Sequence, residues 1–524
     1  MSWEAALEDG PHTIGRWLTD RAAQSPERIA IDDRGVTIDY ATLAMRATEL
    51  AEGLRAAGYG PGHRLATISG NSTDHVVAFF SCALVGVAFV PLSWRLTPRE
   101  LGELIRRCDP ALVLIEDEYA SLAAEALRAL DAAPPIAQLG SAGRGGTVGT
   151  VPSAREPRGQ RHVRDDDPLL VIFTSGSEAA PKGVVLTHAN CFWNNLALAQ
   201  ALPLTHDDVV LAMLPQFHIA GWNCQPLLAW WVGATVVLER VFQPARALQL
   251  IGERRVTAMM GVPTQYAMLA ADRRWASTDV SCLRLALVGG ATMPSSVQAE
   301  WEARGVSLVQ GYGLTEAGPN VLHLPTQDAT ADFGAVGRPY PHVSVRVVDP
   351  ETLLPLEGEA TGELWVGGPS VFAGYLADDA ATAKSMAGEW LRTGDLVHRN
   401  GAGIFRIVDR LKDIYISGGE NVAPAEVEHA LALHPLIEEA AVVGVPDPVW
   451  GERGVAFVVP AAESILSADE VLAHARRNLA AFKVPVHVEF VRALPHSTIE
   501  KLARTRLRDR ARVLMEGVPD DHPR

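Results

Sequence analysis

Thr174-Ser175-Gly176-Ser177-Glu178-Ala179-Ala180-Pro181-Lys182-Gly183 is the stretch of this chain whose residue types point most directly to chemistry. It follows the apolar run Leu169-Leu170-Val171-Ile172-Phe173, which reads as a buried strand. Hydroxyls and a flexible backbone at a strand end can wrap polyphosphate oxygens, and the Lys182 ammonium adds a mobile point charge. The GxxxxGK[ST] spacing of a Walker loop is absent, and taken alone a Ser/Gly-rich run is more often only a turn. Other candidates have an equally plain reading in isolation. His218, between an apolar run and Gly221-Trp222, is by itself more often a satisfied structural histidine. Gly289-Gly290-Ala291 lets a flat group approach closely but is also an ordinary tight turn. Glu316 after Thr315 could be a solvated or helix-capping carboxylate, and Asp395 and Arg410 a surface ion pair.

The elements that must position these residues alternate in type. From Thr13 to about Glu116, helical patterns interleave with short apolar runs such as Leu65 to Ser69 and Ala88 to Val90, which predicts α/β layering. Gly140 to Arg164, rich in Gly, Pro, Ser and Arg, reads as a surface connection. Apolar runs at Val209 to Leu214, Ala234 to Leu238, Ala258 to Val262, Leu285 to Val288 and Ser307 to Val309 each end in turn residues, and open α/β sheets place ligands at such strand ends. Near Arg410 the pattern changes to a compact segment ending in a basic, helix-like tail from Lys501 to Arg512. With 524 residues, at least two folding units are expected.

Composition narrows the function classes. A content of 48% hydrophobic and 21% charged residues is that of a soluble globular protein. The net charge of −16, from 46 basic and 62 acidic side chains, argues against a nucleic-acid-neutralising surface. Five dispersed cysteines without a CxxC pair (Cys82, Cys108, Cys191, Cys224, Cys282) predict reduced thiols and a cytoplasmic address. The acidic start MSWEAALEDG is unlike a secretory signal, and the most apolar stretch, Pro226 to Leu238, is too short to span a bilayer, so no integral membrane segment is expected.

The Thr174–Gly183 run resembles the TSGTTGxPKG signature of the adenylate-forming (AMP-binding) superfamily, which contains acyl-CoA synthetases, non-ribosomal adenylation domains and luciferases. Further blocks match in the same order. Leu214-Pro215-Gln216-Phe217-His218-Ile219-Ala220-Gly221 is similar to LPxFHxxG, Gly289-Gly290-Ala291 to the adenine-contacting turn, and Gly311-Tyr312-Gly313-Leu314-Thr315-Glu316 to YGxTE. Thr393-Gly394-Asp395, Asp409-Arg410-Leu411-Lys412-Asp413, Ser417-Gly418-Gly419-Glu420-Asn421 and Lys501 follow, so the resemblance, closest to acyl-CoA synthetases, spans nearly the whole chain. It implies a large multi-layer α/β N-terminal domain over residues 1–411 binding ATP and the acyl substrate, and a small mobile α+β C-terminal domain over 412–524 carrying the catalytic lysine.

The activity implied is ATP-dependent activation of a small-molecule carboxylic acid to an acyl-adenylate with release of pyrophosphate, then transfer to coenzyme A. Transfer to an amine, a carrier-protein thiol or another nucleophile, and a non-catalytic nucleotide-binding relative, are the alternatives. By resemblance, Thr174, Ser175, Gly176, Ser177 and Lys182 surround the β,γ-phosphates, Thr315 lies near the α-phosphate, and Glu316 holds Mg2+, a hard cation suited to carboxylate and phosphate oxygens. Gly289, Gly290, Ala291, Gly311, Tyr312 and Gly313 line the nucleotide, Asp395 and Arg410 clamp the nucleoside, and His218 gates the reacting carboxylate. Trp222, Val262, Ala317 and Gly318 border the acyl pocket. Lys501 neutralises charge during adenylation, Lys412 is the hinge, and Ser417, Gly418 and Gly419 approach the acyl-adenylate for attack by the coenzyme A thiol; Lys483 is a candidate for its phosphates. The chain departs from the pattern at Glu178 and Ala179 in the phosphate loop and at His496 and Glu500 beside Lys501. A carboxylate next to phosphates repels them unless it points away or helps hold the metal.

Overall fold

The computed structural model describes residues 12–128, 130–140, 148–174, 181–291, 293–324, 334–417, 420–447, 450–461, 464–495 and 502–516. The chain separates into two compact units, residues 1–345 with 365–392, and 346–364 with 393–524. The α/β expectation holds.

The first unit is built on sheets whose central strands run parallel. In one, Arg64–Ile68 lies between Ala88–Leu92 and Leu112–Glu116, with Ile136–Leu139 beyond. Its other side continues through Pro168–Thr174 and Lys182–Thr187 to the short strand Gly374–Tyr375. In the other sheet, Thr235–Leu238, Val209–Ala212, Ala258–Gly261, Leu285–Val288 and Leu308–Tyr312 pair in parallel. Ala88–Leu92 and Leu285–Val288 are buried along their whole length, which is why they read as continuous apolar runs without alternation. Parallel neighbours need crossovers, and the intervening segments supply helices with clear start signals. Thr73–Val85 is capped by Ser72 and ended by Gly86 in the left-handed region; His188–Ala201 begins with a reciprocal Thr187–Asn190 capping box. Around the second sheet, Leu211, Met259, Tyr266, Ala286 and the fully buried Trp301 share one core. The Trp301 indole N–H donates to the Tyr266 carbonyl at 3.1 Å, so its burial leaves no orphan donor.

The described parts of the 140–164 connection run largely exposed and are laced back by Ala154 N–H to Ala57 O and Arg158 N–H to Gly58 O. The apolar stretch from Pro226 becomes a helix, Pro226–Val232, a left-handed Gly233 and the strand Thr235–Leu238. Among the described residues no helix is long and apolar enough to cross a membrane. All five cysteines are free, four of them buried.

In the second unit, Asp395 to Arg399 pair in antiparallel register with Phe405–Arg410. A further sheet of Tyr415–Ser417, Glu420–Val422, Ile437–Asp447, Gly451–Pro460 and His487–Phe490 has cores on both faces. Strand alternation divides Ile437–Asp447 between them: Val442 packs with Tyr415, Val427 and Ala456, whereas Ala441 and Val443 pack with Phe457, Leu507 and Ala511. The basic tail forms the helix Arg504–Glu516.

Candidate active site

In the first unit, Pro168–Thr174 and Lys182–Thr187 are the arms of an antiparallel hairpin with Thr174 opposite Lys182. This pins both ends of the candidate phosphate grip; Ser175, Gly176, Ser177, Glu178 and Ala179 lie outside the described residues. Tyr375 pairs with Val184 on the outer side of the same hairpin. The Lys182 ammonium sits 5.2 Å from the centre of the Tyr375 ring, and the Tyr375 hydroxyl donates to Glu316 Oε1 at 2.9 Å. Burial, reinforced by the Glu316 charge, raises the Tyr375 phenol, which therefore stays a donor.

Glu316 lies on a single 3-10 turn, Thr315–Ala317, that follows the strand Leu308–Tyr312. The backbone before it is pinched: a Cβ on Gly313 would stand 1.4 Å from the Pro319 carbonyl oxygen, so only glycine fits. Behind the turn is a buried amide network. Asn194 Oδ1 accepts from Asn320 N–H at 3.1 Å and from Asn320 Nδ2 at 3.0 Å, and Asn194 Nδ2 donates to Asn223 O at 2.9 Å. Asn223 Nδ2 donates to Gly318 O at 2.6 Å. The network thus ties the helix His188–Ala201 and the His218-bearing segment to the backbone of the Glu316 turn.

Gly289 N–H donates to Gly261 O at 3.2 Å, and Gly290 adopts φ +86°. Gln310 fixes the same turn, its Nε2 donating to Ala291 O at 3.0 Å and its Oε1 accepting from Met293 N–H at 3.1 Å. Val262 lies beside Gly290, its Cγ1 3.5 Å from where a Cβ would be. Gly311 and Tyr312 face His323 and Leu322 across the next strand pair.

The His218 segment is held by buried partners, Trp222 among them, and by Phe79 and His75, which the sequence did not single out. Trp222 is fully buried, stacks on Phe79 at 4.4 Å between ring centres, and donates from its indole N–H to Gln216 O at 2.6 Å. Its neighbours include the rings of Phe89 and His75, so Trp222 supports the loop from within the core. His75 contacts Gln216 Oε1 at 2.9 Å and Thr67 Oγ1 at 2.8 Å, and complete burial pushes its imidazole down to about 4. Phe217 meets His218 edge to face at 4.6 Å. Ala317 is buried and Gly318 has φ +105°.

In the second unit, Asp395 and Arg410 are directly opposed across their strand pair, with Arg410 Nε 3.1 Å from Asp395 Oδ1. The Asp395 side chain is buried whereas that of Arg410 is half exposed. Desolvation and the neighbouring Arg410 charge hold the Lys412 ammonium below the usual lysine range. The Ser417 hydroxyl is fully buried without a hydrogen-bond partner among the described residues, and Gly418, Gly419, His496, Glu500 and Lys501 lie outside them. Lys483 pairs with Glu426 at 2.6 Å.

Among the described residues there is no cluster of three or more His, Cys, Asp or Glu side chains able to cage a metal. A lone carboxylate suits Mg2+, which is commonly held by one or two carboxylates with substrate phosphates completing the shell. Glu316 fits that role: Tyr375 donates to Oε1, and among the described residues Oε2 has no hydrogen-bond partner.

Comparisons with known proteins identify the family. The AMP-binding enzyme family matches residues 18–376, and the AMP-binding enzyme C-terminal domain matches residues 426–501. Feruloyl-CoA synthase of Amycolatopsis sp is 39% identical over 95% of this chain and 99% of its own length. Indoleacetate–CoA ligase of Aromatoleum aromaticum is 36% identical, over 94% of this chain and 97% of its own. The crystal structure of ATP-bound MatB from Rhodopseudomonas palustris superposes with a TM-score of 0.86 at 30% identity, covering 96% of this chain and 99% of that one. Fold and site together define an adenylate-forming enzyme. The chain belongs to the AMP-binding enzyme family, among relatives named as CoA ligases and synthetases.

Proposed function

We propose that this chain is an AMP-forming acid–thiol ligase for an aryl-substituted carboxylic acid: it converts the acid to an acyl-adenylate with release of pyrophosphate, then to its coenzyme A thioester. The observation that carries the chemistry is the convergence of Lys182, Tyr375 and Glu316 at the end of the phosphate hairpin. A carboxylate is a poor acyl donor because its leaving group is oxide, so it attacks the α-phosphorus of ATP and acquires AMP as a competent leaving group. Negative charge gathers around phosphorus during that transfer, and pre-placed cations and donors stabilise it. Lys182 and the residues from Thr174 to Ser177 hold the β,γ-phosphates, Thr315 the α-phosphate, and Glu316 orients Mg2+, which when bound screens the phosphate charge. Gly289, Gly290 and Ala291 border the adenine, and Asp395 accepts from the ribose hydroxyls with Arg410 beside it. Lys501 is the catalytic cation of adenylation, and the segment from Ser417 to Gly419 admits the pantetheine arm. The domain boundary lies at 411/412, with Lys412 as pivot.

The aryl preference is supported by two relatives, 39% and 36% identical to this chain, named for feruloyl and indoleacetate substrates. His218, Val262, Ala317 and Gly318 border the acyl group, and Trp222 supports that wall from behind. Purified enzyme with Mg2+ and ATP, given ferulate, indoleacetate and aliphatic acids of matched size, tests this by acid-dependent pyrophosphate release and thioester formation. An aryl acid is expected to exceed every aliphatic acid in kcat/KM by at least about tenfold, the value of one or two well-filled methylene equivalents. Preference for an aliphatic acid overturns the assignment.

A further inference from the structure

Tyr375 lies 59 residues from Glu316 in sequence, yet its segment is stitched to both halves of the phosphate-and-metal arrangement. Leu376 N–H donates to Gly183 O at 2.7 Å and Ala373 N–H to Val185 O at 3.0 Å, which fixes the segment to the strand that carries Lys182. Phe372 N–H donates to Glu316 O at 2.9 Å, which fixes it to the metal-carboxylate turn. Between these stitches the Tyr375 side chain makes both functional contacts itself, ring face to the Lys182 ammonium and hydroxyl to Glu316 Oε1. We infer that Tyr375 is a positioning residue, which sets the Glu316 carboxylate for Mg2+ and holds Lys182 at a fixed distance from it. The inference rests on the proposed role of Glu316 toward the Mg2+ of Mg·ATP.

An ionised carboxylate only accepts hydrogen bonds, and its terminal torsion is soft. A phenol fixed at one oxygen removes that rotation and leaves the second oxygen to face the cation. The ring contributes differently: an ammonium over an aromatic face is attracted by its quadrupole, so Lys182 is drawn toward the same side chain that holds the carboxylate. A single residue thereby contacts both the Lys182 cation and the Glu316 anion. A solely structural tyrosine could supply the same packing, since its ring also meets Phe372 at 4.9 Å and lines a cavity of about 220 Å3 with Ala88, Val171 and Val185. Removing the hydroxyl alone distinguishes the two.

Tyr375→Phe keeps the ring, the cavity wall and the Lys182 contact. Calorimetric titration of ATP into the acid-free enzyme over a series of Mg2+ concentrations is the primary readout, and adenylation against Mg2+ the second. The half-saturating Mg2+ concentration is expected to rise about tenfold, the low end for a hydrogen bond to a charged group. ATP binding without Mg2+ is expected to stay within about twofold, and excess Mg2+ to restore adenylation. Tyr375→Leu is expected to weaken metal-free ATP binding as well, through Lys182. Glu316→Gln separates this inference from its foundation. If that variant alters the Mg2+ dependence while Tyr375→Phe leaves it unchanged or lower, Tyr375 is not a positioning residue. If Glu316→Gln leaves the Mg2+ dependence intact, the proposed role of Glu316 fails, and the inference with it.

Discussion

At the residue scale, a few side chains divide the work, and their removal has distinct signatures. Lys501→Ala is expected to reduce acyl-adenylate formation by about a thousandfold, comparable to removing a preorganised electrostatic group. Thioester formation from supplied acyl-adenylate should persist; unchanged adenylation would remove Lys501 from its role. Buried histidines predict a pH dependence of stability. His75 and His188 are completely buried, and desolvation lowers each from 6.5 to about 4. Between those values the unfolded chain binds the protons that the folded chain refuses, so stability is full above pH 6.5 and falls as pH drops toward 4. Each histidine accounts for a loss on the order of 3 kcal/mol across that window. Urea unfolding at pH 7.5 and 5 measures it, and His75→Gln with His188→Asn should flatten the difference. Glu316 and the Asp395–Arg410 pair could be singled out in the sequence because they lie in compact runs with recognisable order. Tyr375, Gln310, Asn194 and His75 were not, because their partners lie far away in the chain or are backbone groups that no residue pattern reveals.

At the element scale, the site depends on turns whose backbone is held from behind. Asn194→Ala removes the acceptor of Asn320 N–H and Nδ2 and the donor to Asn223 O, leaving buried polar groups unpaired. A loss of about 2–3 kcal/mol is expected, read as a lower urea midpoint. Gly313→Ala forces a Cβ into the Pro319 carbonyl and is expected to cost about the same in stability while abolishing adenylation. A fully active Gly313→Ala enzyme would contradict the placement of the Glu316 turn. The parallel strands were readable as apolar runs bounded by turns, since burial on both faces leaves no alternation to misread. The stitching of Gly374–Tyr375 to the phosphate hairpin was not, because a two-residue strand carries no periodic signal.

At the scale of the whole molecule, sequence order and spatial grouping part company: residues 346–364 group with 393–524, whereas 365–392 belong with the first unit. Such excursions depend on long-range pairing and leave no composition signal, while α/β layering and the change to a compact segment near Arg410 were visible in the patterning and the α+β class of that segment was implied by the resemblance. A pivot at Lys412 makes a separate prediction. Lys412→Pro fixes a backbone torsion and should preserve adenylation while lowering thioester formation at least about tenfold; equal loss of both contradicts a hinge-specific effect. The most direct measurement of the central claim follows both products at once, incubating the enzyme with Mg2+, ATP and a panel of aryl and aliphatic acids, with and without coenzyme A. The expected result is acid-dependent pyrophosphate with an AMP ester when coenzyme A is absent, and a thioester with free AMP when it is present. Normal ATP binding with neither ester nor thioester from any acid would contradict it.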